Sequence, residues 1–138
     1  MNIKRLSIGS VVGTIALYLL GMLIWQNLFA DFFEANSGSA TGVDRDTPIL
    51  WAVIVGTLFY AVLVTLVLES RGASKSLADG LKIGFVVGAL LWGTADFILF
   101  GITNLSNLTG TVADTVLEGV RGAIAGGVIA AVLGKVGD

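Results

Sequence analysis

The sequence predicts an all-α protein, a four-helix transmembrane bundle. Hydrophobic residues make up 55% of its 138 residues. Charged residues make up 13%, where a soluble domain would carry about twice that share. Four apolar stretches, each long enough at helical rise to cross a bilayer, alternate with polar segments. Mean hydropathy is accordingly high, at +0.91. The expected helices cover about 6–30, 47–69, 81–103 and 111–134, in a single domain.

Composition also excludes chemistry. There is no cysteine, so no disulfide or thiolate ligand, and no histidine, so no His-ligated haem or zinc and no Ser-His triad. Net charge is −2 and gives no reason to expect a nucleic-acid partner. No metal or cofactor is expected. Paired carboxylates could do acid–base chemistry, but no nucleophile or metal set accompanies them, so no enzymatic reaction is expected.

The chain begins with a short basic segment, Lys4 and Arg5. Leu6 to Ala30 then runs without a charge and reads as an uncleaved first span. Gly9 and Gly13 have small-xxx-small spacing, which lets a neighbouring helix approach closely. Trp25, Gln26 and Asn27 stand near its far end, where an aromatic belt belongs. Asp31 to Thr47 is the longest loop, acidic and Ser/Gly-rich, and reads as solvated, with Phe32 and Phe33 on the membrane surface. Thr47-Pro48 opens the second span, with proline at a tolerated first-turn position. Tyr60 falls in its middle, where a hydroxyl needs a partner.

Ser76 and Asp79 fit a capping box at the start of the third span. Gly84 and Gly88 repeat the small-residue spacing within it. Trp92 and Asp96 are four apart and share a face. Asp96 lies well inside the span, where a carboxylate must be paired, hydrated or protonated. A short uncharged turn, Asn104 to Gly110, leads to the fourth span.

That fourth span, Thr111 to Gly134, carries the richest pattern. Thr111 and Asp114 fit a second capping box. At ~100° per residue, Asp114, Glu118 and Arg121 fall within roughly 60° of one another. Gly119, Gly122, Gly126, Ala130 and Gly134 form a small-residue stripe, and Val120, Ile124, Val128 and Ala131 an apolar face. The simplest assignment sends the charges inward, the small residues against another helix and the apolar face to lipid. Arg121 could merely neutralise Glu118, three residues before it. Asp96 and Arg121 also lie at matched depth on antiparallel neighbours, and a pair between them is expected. The first two spans, free of charge, would form a shell around the polar last two.

Lys4, Arg5, Arg71, Lys75, Lys82 and Lys135 fall on the side of the termini, and Arg45 on the other. The positive-inside rule then places both termini in the cytoplasm, N-in and C-in. The segments Gly93-Thr94-Ala95-Asp96, Asn104-Leu105 and Val112-Ala113-Asp114 resemble small four-helix bacterial membrane families of unknown function. Those families carry an Asp late in the third helix, an Asn near it and a second Asp at the start of the fourth. Trp25-Gln26-Asn27-Leu28-Phe29 is similar to the end of the first helix in another such family. The resemblance implies a bacterial inner-membrane protein with a four-helix fold, and no activity.

Two functions follow as expectations. In the first, Asp96, Arg121, Glu118, Asp114, Trp92 and Asn104 bind a small ligand, lipid head group or ion in the outer half of the bundle, with transport as an extension. In the second, the chain is a structural or accessory membrane subunit. It would assemble, most simply as a homo-oligomer, through Gly84, Gly88, Gly119, Gly122, Gly126 and Ala130. Membrane lipids are expected partners in both.

Overall fold

The computed structural model describes residues 2–72 and 76–137; Lys75 lies outside the described residues. The fold is all-α. Helix α1 (Ile3–Gly21) continues into a π-helical segment, Met22–Leu28. A short α2 (Ala30–Ala35), α3 (Leu50–Ser70), α4 (Leu77–Ile102) and α5 (Leu108–Leu133) follow. Among the described residues, four helical stretches, Ile3–Leu28, α3, α4 and α5, are long and apolar enough to cross a membrane. The chain is a membrane-protein helix bundle.

The helix starts explain themselves locally, with two corrections to the sequence reading. Asn2 caps α1, accepting from the Arg5 amide, and Ser76 caps α4, accepting from the Asp79 amide as the capping box predicts. Thr47-Pro48 does not open α3, which begins at Leu50 with no side-chain cap. Thr111 does not cap α5. Asn107 does, its side-chain oxygen accepting from the Gly110 amide at 2.8 Å, and α5 begins at Leu108, three residues before the expected start of the span at 111. Thr111 instead lies buried in the first turn.

Helix α5 is central and touches the other three spans; its most extensive partner is α4. The α4–α5 seam is made of backbone. Gly80, Gly84 and Gly88 of α4 face Gly126, Gly122 and Glu118 of α5, one helical turn per step. A Cβ on Gly80 would come within 2.6 Å of the Gly126 carbonyl oxygen, and one on Gly84 would run into the Gly122 carbonyl. Gly119 makes room for the Phe85 ring, which a Cβ there would meet at 2.8 Å, and Ala130 meets Gly80. The stripe expected to meet a second subunit is therefore consumed inside the chain. Close approach is what glycine supplies where lipid gives no hydrophobic incentive to pack. Val120, Ile124 and Val128 face outward, as the helical pattern requires.

On the other side, Gly9 of α1 packs on Thr65 and Leu133, and Gly13 on Ile129 and Ala61. These contacts enclose a hydrophobic core of Leu17, Tyr60, Ala61, Val64, Leu68, Ala125, Ile129 and Leu133. It fills the half of the bundle that holds the termini.

At that end Arg5 is no loose anchor. It is 2% exposed. Its Nε and Nη2 donate to Glu69 Oε2 and Oε1, both at 3.0 Å. Its Nη1 donates to the carbonyls of Leu133 at 3.0 Å and Val136 at 2.6 Å. One guanidinium thus joins α1, α3 and two carbonyls at the C-terminal end of α5, where a cation also opposes the helix dipole.

The opposite end is closed by the long loop, which is less free than its composition suggests. Gly38 and Ala40 donate amides to the carbonyls of Leu105 and Asn104 at 2.9 and 3.0 Å. Asn107 donates its amide to the Asn36 carbonyl, and its side chain to the Asn36 side chain, both at 3.1 Å. The loop is pinned across the α4–α5 turn. Phe33 stacks on Trp25 with ring centroids 6.3 Å apart, so it points into the bundle.

Candidate functional site

Asp96, Asp114, Glu118 and Arg121 gather in the loop half of the bundle, but in two groups. The expected Asp96–Arg121 pair is absent. Arg121 pairs with Glu118, Nη1 to Oε1 at 2.9 Å. The reason is depth. Because α5 starts at Leu108, Arg121 stands ~20 Å down its axis, while Asp96 stands only ~9 Å from the end of α4. The first two spans are not a bare shell either. Arg121 Nε donates to the Leu17 carbonyl of α1 at 2.9 Å. The Arg121 guanidinium lies 5.4 Å from the Trp25 ring centroid and 5.9 Å from that of Tyr60. Tyr60 finds the partner it needed, donating its hydroxyl to the Glu118 backbone carbonyl at 3.1 Å.

Trp25 divides the two groups. Its face carries Arg121 and its edge donates from Nε1 to Asp114 Oδ1 at 2.6 Å. The sequence pattern assigned it to the membrane boundary. The π-helical segment is what turns it inward. In such a segment each amide reaches back five residues, as Phe29 does to the Ile24 carbonyl at 2.9 Å. That widens the turn and shifts the side-chain phase from that of a plain α-helix. No residue type announces this.

On one side of Trp25 lie Asp96 and Asp114, lining the same cleft. Thr115 donates its hydroxyl to Asp96 Oδ2 at 3.1 Å. Both carboxyls line a cleft of about 310 Å³. Asp44, Asn36 and Ser37 of the long loop, with Ser106 and Thr111, supply further polar lining, and Phe33, Leu99 and Leu105 supply apolar walls. Neither Asp96 nor Asp114 has a basic side chain within 4 Å among the described residues.

On the other side, Arg121 lines a fissure of about 300 Å³ between the end of the first span and the start of α3. Glu118, 3% exposed, keeps one carboxyl oxygen on Arg121; the other, Oε2, is buried without a partner among the described residues.

Two further predicted site residues stand apart from both groups. Trp92 packs against the hydrophobic core and lines a separate apolar hollow with Tyr60 and Phe59, its Nε1 buried and unpartnered among the described residues. Asn104 contributes its backbone carbonyl to the loop clamp and does not line the cleft. No group of three or more acidic side chains is arranged to hold a metal ion among the described residues. No protein-family description matches this chain, and no curated protein or solved structure matches it.

Proposed function

We propose that this membrane protein binds a small organic cation in the loop-capped cleft, with Asp96 and Asp114 as its counter-charges. One observation carries the reading. Two carboxyl groups line one cleft without a basic partner among the described residues, while Arg121 pairs with Glu118 and lines a different opening. Adjacent carboxyls inside a span are costly unless a proton or a cation lies between them. The lining favours an ammonium that also carries apolar groups, because hydroxyls and amides alternate with Phe33, Leu99 and Leu105. The ring of Phe33 adds a face on which a cation can rest.

The cleft lies at the loop end. The basic residues of the termini end favour placing the loop outside the cell, which would make the cleft extracytoplasmic. The buried hydrophobic core below it supports binding over conduction. The alternative of assembly through glycine faces loses its motive, since those glycines pack within the chain.

The test is thermal unfolding of the purified protein with tetramethylammonium, butylammonium or, as control, acetate. The ammonium ions are expected to raise Tm in the wild type, and acetate is not. Asp96→Asn with Asp114→Asn should abolish the rise while keeping helicity. An equal rise in the double variant would defeat the proposal.

A further inference from the structure

We propose that the fissure between the end of the first span and α3 receives the phosphate-bearing head of a membrane phospholipid, with Arg121 as its cationic partner. This site is separate from the acidic cleft and does not rest on it, since Trp25 stands between them.

The charge pattern favours an anion here. Arg121 is the one charged residue, among those described, in a lining that includes Tyr18, Met22, Gln26, Val53 and Thr57. Its guanidinium has five N–H donors in a planar fork, the geometry that matches phosphate oxygens. Protein acceptors take two of them, at Nε and Nη1. The Nη2 amino group meets no protein acceptor among the described residues. It lies beside Gly21, where a Cβ would stand 2.9 Å from it, and Gly21 also lines the fissure. The missing side chain at this position keeps the donor open to the fissure.

Position suits a lipid as well. Pro48 and Leu50 stand at the mouth, where α3 begins, and Thr57 lies about two turns below. The fissure therefore opens at the level of head groups and runs down the span. Side chains of a helix lean toward its N-terminus, so Arg121 leans toward that mouth. Exposed apolar residues such as Val53 and Leu50 line the way for acyl chains. Tyr18 and Gln26 offer further polar groups beside the head.

The experiment compares dioleoylphosphatidylglycerol with dioleoylglycerol, which has the same chains and no phosphate. The full chain in maltoside micelles is titrated with each, and Tm and retained lipid are read by thermal unfolding and native mass spectrometry. The phospholipid is expected to raise Tm and remain bound; the diacylglycerol is not. Val53→Trp fills the fissure without touching Arg121, and Leu50→Trp fills its mouth. Each should weaken phospholipid retention about tenfold, the loss of roughly 1.4 kcal/mol of binding. Ile54→Trp, equally exposed but outside the fissure, should retain lipid as the wild type does. Equal retention of both lipids would overturn the proposal. So would wild-type retention in a folded Val53→Trp or Leu50→Trp variant. A Tm rise from inorganic phosphate alone, as large as that from the phospholipid, would overturn the lipid assignment. Misfolding of the tryptophan variants leaves the comparison of the two lipids on wild type as the deciding result.

Discussion

Arg5 and Arg121 each meet a glutamate inside the bundle, the first at the C-terminal end of α5 and the second near its middle. The Arg5–Glu69 pair joins two helices through two parallel hydrogen bonds, and Arg5 also donates to the carbonyls of Leu133, the last residue of α5, and of Val136. The Arg121–Glu118 pair lies within one helix, holds by one contact and leaves Glu118 Oε2 and Arg121 Nη2 without protein partners among the described residues. Both ion pairs are buried, so their difference is one of saturation. The first has its hydrogen-bonding capacity met by the protein and acts as a lock. The second keeps capacity in reserve beside two openings, which is what a binding region needs. Burial of charge alone would not have separated them.

The largest expected effect breaks the lock. Arg5→Met with Glu69→Leu removes both charges, yet it takes the Arg5 donor from the Val136 carbonyl and leaves the Leu133 carbonyl only the Val136 amide. Arg121→Met with Glu118→Leu strands only Leu17, whose carbonyl belongs to a helix interior. Arg5→Met alone should cost about 3–5 kcal/mol, because the buried Glu69 carboxylate then loses its guanidinium. The Arg5/Glu69 double variant should remain destabilised, and the Arg121/Glu118 double variant should fall within about 1 kcal/mol of wild type. Chemical unfolding of the four proteins in mixed micelles would decide. Equal costs for the two double variants would erase the distinction.

A smaller effect tests whether the bundle needs a partner at its glycine seam. Gly126→Leu would place a side chain against the Gly80 carbonyl oxygen. It should cost about 2–3 kcal/mol as overpacking, without changing the oligomeric mass seen in native mass spectrometry. A change of mass with stability retained would mean the seam is intermolecular. The smallest effect sharpens the boundary between the two groups. Trp25→Phe keeps an aromatic face near Arg121 and removes the donor to Asp114. A loss of about 1 kcal/mol in stability is expected, together with a weakened ammonium-induced Tm rise and unchanged phospholipid retention. Equal losses of both ligands would show that Trp25 does not separate them.

The spans were legible because length and hydropathy alone decide what can cross a bilayer. The small-residue stripe on α5 was legible too, though the identity of its partner was not. Gly80 lies in what reads as a loop, and only its alignment with Gly126 reveals that the seam is internal. The site was half visible. Asp96, Asp114, Glu118 and Arg121 stood out because charge is rare inside a span. Their pairing failed on a three-residue shift in the start of α5, since Asn107 competes with Thr111 as a cap and wins. Trp25 and Arg5 resembled ordinary boundary residues. Their roles come from a π-helical turn and from Glu69, 64 residues away from Arg5, and neither leaves a local signature.

The glycine seam carries one more consequence, concerning slippage. A track of glycines one turn apart has nearly the same shape after a shift of one turn, ~5.4 Å along the axis. Smooth surfaces of this kind specify contact without specifying alignment. The height of α5 in the bundle must then be fixed by contacts off the track. The Tyr60 hydroxyl is placed to do this: it holds the Glu118 carbonyl where Gly88 leaves room for both. Arg5 fixes the far end of α5 through Leu133 and Val136. The seam behaves as a rail, and these two contacts are the stops that keep α5, and with it Asp114 and Arg121, at one height in the membrane.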